Sequence, residues 1–194
     1  GEYFPVYENE RGTYIFNSKD LCMIEHIPEL IAAGIDSFKI EGRMKTALYV
    51  AAVARTYRRA IDDYLASEEN SRANMDWYKE EIAKSVHRQF TTGFYLGKAD
   101  ENTQIYDSST YVNEYVYLGI IEEVSKERGV RIEQKNKFCT GDEIEIMKPD
   151  GRNIAVRVLS LTTQEGEEME SAPHPRKALW VKLSEQGEKF DLLR

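Results

Sequence analysis

Apolar residues in the first third of the chain recur at changing spacings, and the elements they predict alternate between strand and helix. Tyr14-Ile15-Phe16 is β-prone, and Ser18 or Asp20 is placed to cap a helical segment after it. Ile27 to Ala33 is helix-prone, with Pro28 where a first turn tolerates it and Gly34 as a C-terminal stop. Asp36 to Ile40 reads as a buried strand. The turn Glu41-Gly42-Arg43-Met44-Lys45 then leads to Thr46, an N-cap for a long helix reaching about Leu65. Along that helix Val50, Val53, Ala54, Tyr57, Ile61, Tyr64 and Leu65 keep the spacing of one apolar face, opposite Arg55, Arg58, Arg59 and Asp62. Strand, helix, strand, helix with short connections predicts a parallel α/β arrangement. Two strands do not make a stable parallel sheet alone, so further units are expected upstream.

Residues 67–74 are polar and turn-like, and Asp76 to His87 reads as another helix carrying Tyr78, Ile82, Ala83 and Val86 on one side. The stretch from Gln89 to Tyr111 has no clear period but holds Phe90, Phe94, Tyr95, Tyr106 and Tyr111, which suits an ordered linker. Beyond Tyr111 the pattern becomes short β-prone runs: 115–124, 130–134, 143–147, 154–161 and 178–183. Turn chemistry separates them at Glu127-Arg128-Gly129, Thr140-Gly141-Asp142, Pro149-Asp150-Gly151 and Glu165-Gly166. Five or six strands in so few residues favour a small closed or partly closed barrel, because closure removes exposed edges. The expected class is therefore α+β, with the end of an α/β domain at 1–66, a helical segment and linker at 67–111, and a small antiparallel β-barrel at 112–194.

Composition narrows the function. With 41% hydrophobic and 31% charged residues in 194, the chain can bury one or two cores. A net charge of -8 and a pI of about 5.1 exclude a global attraction to nucleic acid or anionic membrane, so RNA binding has to be local. Acidic residues outnumber basic ones on both sides of Tyr111. No apolar run approaches the roughly 18 residues of a membrane span and no signal peptide opens the chain, so a cytoplasmic protein with no membrane partner is expected. Gly1 in place of Met reads as a processing scar or as the point where a longer chain was cut. Cys22 and Cys139 lie too far apart to suggest a disulfide framework.

Three blocks in order, Ser18-Lys19-Asp20-Leu21-Cys22, His26-Ile27-Pro28-Glu29-Leu30 and Ser37-Phe38-Lys39-Ile40-Glu41-Gly42-Arg43-Met44-Lys45, closely resemble the peptidase U32 family of collagenase-like proteases. Thr91-Thr92-Gly93-Phe94-Tyr95, and Asn136-Lys137-Phe138 with Gly141-Asp142-Glu143-Ile144-Glu145-Ile146-Met147, resemble the family's linker and C-terminal domain. The resemblance covers the later part of a family member. It implies the last one or two units of a truncated (β/α) barrel, followed by a barrel similar to those of translation factors. The family name promises a hydrolase. Better-understood relatives are similar to RNA or quinone hydroxylation factors, several holding an iron-sulfur cluster on four cysteines, and those nearest in architecture act on the tRNA wobble uridine with prephenate implicated. A whole protein that modifies tRNA is the leading expectation, with a peptidase and a non-catalytic binding module for RNA or a translation partner as rivals. This segment alone is expected to be inactive and to hold no cofactor.

Cys22 follows a strand near a helix start, where partial positive charge favours the thiolate. Free cysteines are often small buried hydrophobes; the resemblance implies instead one ligand of a cluster whose other cysteines lie upstream. The Glu41 to Lys45 turn falls where barrel enzymes place substrate groups. Arg43 suits a bidentate clamp on carboxylate or phosphate, Lys45 a point charge, Glu41 an acid, base or ion-pair partner, and Gly42 close backbone approach. Lys39 supports the same site, and the bland alternative is a structural Glu-Arg salt bridge. Arg55, Arg58 and Arg59, interleaved with Tyr57, suit a nucleic acid backbone or simply a solvated helix face. His26, His87 and His174 lack metal-ligand spacing, and no Ser-His-Asp order, GxSxG or HExxH occurs. A cut barrel exposes edges, so a homodimer or strand-swapped assembly is expected.

Overall fold

The computed structural model describes residues 6–10, 12–14, 17–98, 100–106, 111–112, 114–173 and 175–194. Ile15 and Phe16 of the first β-prone run, and His174, lie outside the described residues. The chain divides into two compact units, Gly1–Glu41 with Thr56–Glu114, and Gly42–Arg55 with Tyr115–Arg194.

The first unit opens with an antiparallel hairpin of β1 (Tyr7–Asn9) and β2 (Gly12–Tyr14). No helix begins at Ser18 or Asp20. Ser18 instead bridges to Gln104, and Asp20 lies in β3 (Asp20–Leu21), which pairs in parallel with β4 (Phe90–Thr91). The Asp20 carboxylate, free of a helix to cap, accepts the Arg88 backbone N–H at 3.0 Å. A 3₁₀ turn (Ile24–His26) runs into α1 (Ile27–Ala32), with Pro28 in its first turn and Gly34 beyond its end at φ +79°.

Residues 36–40 form no strand and are largely exposed, contrary to the sequence expectation. A buried strand needs ladder partners for its backbone, and among the described residues none pairs with this segment.

Thr46 caps α2 (Ala47–Ala66), its Oγ1 accepting from Tyr49 N at 3.3 Å. The buried face of α2 is rotated from the hydropathy stripe: Leu48, Ala52, Val53, Thr56 and Ala60 are buried, while Val50 and Leu65 are exposed. Small residues carry little hydropathy signal, yet they permit close approach, which decides the orientation. Residues expected to form turns make α3 (Glu68–Ala73). Ser67 caps it by accepting from Asn70 N, Glu68 and Glu69 lie at its positive end, and Arg72 pairs with Glu68 one turn back. The next helix, α4 (Met75–Ala83), stops short of His87, which forms a β-bridge with Val112. Tyr78 and Ile82 of α4, which packs on the 3₁₀ turn, are buried, as are Ile24, Ile27 and Ile105.

The second unit is a closed six-stranded antiparallel barrel. Its strands are β5 (Gly119–Ser125), β6 (Gly129–Glu133), β8 (Glu143–Met147), β9 (Asn153–Thr163), β12 (Ala178–Leu183) and β13 (Leu192–Leu193), with β7 (Phe138–Cys139), β10 (Glu168–Met169) and β11 (Ser171–Ala172) as short additions. Pairing runs β9-β12-β6-β5-β13-β8 and back to β9, leaving no open edge. Val156 and Val158 of β9 alternate inward, a register shift against β12 then moves the next inward position to Leu161, and the three share the core with Ile121, Ile132, Ile146, Leu179 and Leu193. Gly129, at φ +86°, is required because a Cβ there would lie 2.3 Å from the Val181 carbonyl oxygen. The first half of α2 belongs to this unit and packs Leu48 and Ala52 on Met147 and Leu192. Among the described residues no helix is long and apolar enough to cross a membrane.

Candidate functional site

Cys22 is fixed by backbone at the end of β3, its N–H donating to the Thr91 carbonyl at 2.9 Å. Its Sγ lies 3.8 Å from Tyr57 Oη on α2, and the same hydroxyl accepts the Met23 N–H at 2.9 Å. Burial pushes the thiol pKa up; the Ile24 backbone and the Tyr57 hydroxyl oppose this and the Glu25 charge adds to it. Tyr57, read from sequence as one member of an apolar stripe, is thus the side chain that addresses Cys22. Among the described residues no three His, Cys, Asp or Glu side chains gather as metal ligands. Cys139 belongs to the barrel unit. The residues present do not by themselves fit an iron-sulfur cluster, which takes four such ligands.

Lys39 and Glu41 pair at 3.3 Å with both side chains exposed. In the barrel unit, the Lys45 N–H donates to the Gly42 carbonyl at 2.9 Å, closing the turn before α2. A Cβ on Gly42 would meet the Tyr49 ring at 2.8 Å, and Lys45 Nζ lies 5.2 Å from the centre of that ring. Glycine and lysine of the predicted turn therefore share one aromatic neighbour. Met44 is 93% exposed, so the turn projects its longest apolar side chain into solvent.

The arginine stripe on α2 divides. Arg55 is buried, and its guanidinium donates to the Lys148 carbonyl at 2.7 Å and to Asn153 Oδ1 at 3.1 Å. It clamps α2 to the β8–β9 connection and does not belong to a solvated face. Its spacing from Leu48 and Ala52 is the signal that reading by charge overlooked. Arg58 makes a two-pronged contact with Asp62, both exposed. The Arg59 guanidinium lies 4.4 Å from the centre of the Trp77 ring and 3.5 Å from Asp63, whose carboxylate also accepts from Tyr78 Oη at 2.6 Å and Asn74 Nδ2 at 2.9 Å. Burial first, and then the Asp63 contact, drives the Tyr78 pKa well above the ordinary phenol range.

Of the two described histidines, His87 is engaged structurally. His87 stacks on Phe90 at 4.3 Å with Nδ1 2.7 Å from the Ser85 carbonyl, and His26 Nδ1 lies 3.6 Å from Glu29. Sequence reading missed the buried pair Lys148 and Asp191, 2.7 Å apart, with Glu188 3.0 Å from the same ammonium. Lys148 follows β8 directly, and a lysine abutting an apolar strand end was the available cue.

The family profile described as Peptidase family U32 matches residues 2–105, and the one described as Peptidase family U32 C-terminal domain matches residues 113–194. The chain is 33% identical over 190 residues to tRNA hydroxylation protein P1 of Bacillus subtilis, covering 97% of this chain and 45% of that protein. It is 34% identical over 189 residues to tRNA hydroxylation protein P of Escherichia coli, covering 97% and 41%. A protein named Collagenase from Porphyromonas gingivalis is 34% identical over 139 residues, covering 70% and 33%. The chain thus spans less than half the length of these curated relatives. Among solved structures, the C-terminal domain of a Geobacillus thermoleovorans U32 peptidase aligns with a TM-score of 0.38 and 23% identity, covering 41% of this chain and 99% of that one.

Proposed function

Because this chain belongs to peptidase family U32, we propose that it is the C-terminal part of a tRNA uridine hydroxylation protein. One observation carries the reading: relatives named for tRNA hydroxylation align with nearly the whole chain, across both units. In this proposal the parallel pair β3–β4 belongs to the end of a (β/α) barrel, which the longer relatives have the length to complete. The turn from Lys39 to Lys45 lies on the substrate side, where Glu41, Arg43 and Lys45 act on the substrate, with Lys39 and Gly42 shaping the approach. Arg58 and Arg59 face the RNA at its margin, and Arg55 leaves the set because its guanidinium holds the β8–β9 connection. Cys22 is the one thiol that this chain supplies to an iron-sulfur cluster of the whole protein.

Mass spectrometry of tRNA from cells lacking the whole gene, complemented with wild type or Cys22→Ala, tests this. Loss of hydroxylated uridine that wild type restores and the variant does not is the expected result. Unchanged tRNA in the deletion strain overturns it. A second reading, a peptidase, draws on the relative named Collagenase. It gains if the whole protein cleaves denatured collagen and Glu41→Gln does not.

A further inference from the structure

Two loops at one rim of the barrel concentrate positive charge in a chain whose net charge is -8. The first, 134–137, joins β6 to β7, and the second, 173–177, joins β11 to β12. Both are bracketed by strand pairing, Ala178 opposite Glu133 on one side and Ala172 opposite Phe138 on the other, so they lie side by side. Backbone bonds tie them further: Gln134 N–H donates to the Lys177 carbonyl at 2.9 Å, and Arg176 N–H donates to the Gln134 carbonyl at 2.7 Å. The Gln134 side chain is buried, and its amide donates to the carbonyls of Ala172 and Asn136. The two loops are tied to each other by these bonds through Gln134.

They carry Lys135, Lys137, Arg176 and Lys177 against a single flanking acid, Glu133. Lys135 satisfies Glu133, whose carboxyl is held below its usual range by the Lys135 hydrogen bond and charge and, more weakly, by Arg176. Lys137, Arg176 and Lys177 are exposed and form no ion pair among the described residues. Arg176 also holds φ +68°, a left-handed conformation that non-glycine residues rarely adopt and that persists only where surrounding contacts impose it. Cations with no ion-pair partner on a polar rim flanked by paired strands suit a ligand that presents repeated anions at backbone spacing.

We infer that this rim is the surface by which the barrel holds the phosphate backbone of an RNA substrate, an interaction independent of base sequence. The inference rests on the tRNA reading above and places its contact on the barrel, away from the residues assigned there.

The test measures binding of a fluorescein-labelled unmodified tRNA transcript to the full chain across a salt series. Three proteins are compared: wild type, the triple variant K137E/R176E/K177E, and a charge-matched control, K126E/K182E/K189E. The rim variant is expected to bind at least about 10-fold more weakly, with a salt slope shallower by about three phosphate contacts, while the control stays near wild type. Equal weakening in both variants overturns the inference, because only net charge would then matter. So does absence of wild-type binding, or displacement of the tRNA by polyglutamate at matched charge, which would assign the rim to acidic peptides. The two readings fail separately. A rim that proves idle leaves restoration of hydroxylated uridine untouched, and rim-dependent binding survives if the deletion strain keeps its tRNA unchanged.

Discussion

Cys22 is half-buried beside Tyr57 Oη, and burial raises its thiol pKa, so at neutral pH it is a thiol and a slow nucleophile. In a Cys139→Ser background, alkylation by iodoacetamide at pH 8 is expected to run slower than for a free cysteine. Tyr57→Phe, which removes a hydrogen bond favouring the thiolate, should slow it further; a faster reaction would mean that the hydroxyl shields the sulfur. Lys148 shows the opposite balance. Burial lowers its pKa, yet hydrogen bonds to Asp191 and Glu188 outweigh this and the net shift is upward. A raised lysine contributes stability that is complete below the ordinary value of about 10.4 and is lost as pH rises through the higher folded value. Urea midpoints of wild type should therefore fall above about pH 10.4. Asp191→Asn should flatten that alkaline fall and cost about 3–5 kcal/mol at pH 7, because it leaves the ammonium buried without its nearest carboxylate. At this scale sequence showed which residues were chemically able. Whether a charge is spent internally depends on neighbours remote in sequence: Arg55 meets Lys148 and Asn153 some 90 positions on, whereas Arg58 finds Asp62 within one turn.

Among the elements, the long barrel strands were legible because half-burial imprints alternation, as in β9, and because turn residues punctuate them. Strand β13 was not, since two leucines carry no period. Helix α3 looked like a turn because its stability comes from a cap and an ion pair, with little apolar surface. Segment 36–40 looked like a strand because propensity is local while ladder partners are not. Glycine offers a direct test at this scale. Gly129 and Gly141 both have positive φ, but a Cβ on Gly129 strikes the Val181 carbonyl, whereas one on Gly141 meets nothing within 4 Å. Gly129→Ala is expected to cost at least about 3 kcal/mol, since β6 must shift against β12, and Gly141→Ala about 1 kcal/mol. Equal costs in chemical denaturation would show that backbone conformation alone governs both.

For the molecule as a whole, closure depends on β13, which sits between β5 and β8 through Leu192 and Leu193. Arg194 reinforces it, its backbone exchanging hydrogen bonds with Glu145 while its guanidinium binds the Glu145 carboxylate. Removing residues 192–194 should open a slot between β5 and β8. Amide exchange along Gly119–Ser125 is then expected to accelerate at least about tenfold, and a protected β5 would show that the sheet reseals without its shortest strand. The same strand sets a timetable for synthesis. Leu192 and Leu193 are the last of the barrel's strand residues to be translated, and at ribosomal rates they follow β5 by on the order of ten seconds. Until β13 arrives β5 and β8 each keep one edge without a partner, so closing the ring is the last step of the barrel's folding and not its first.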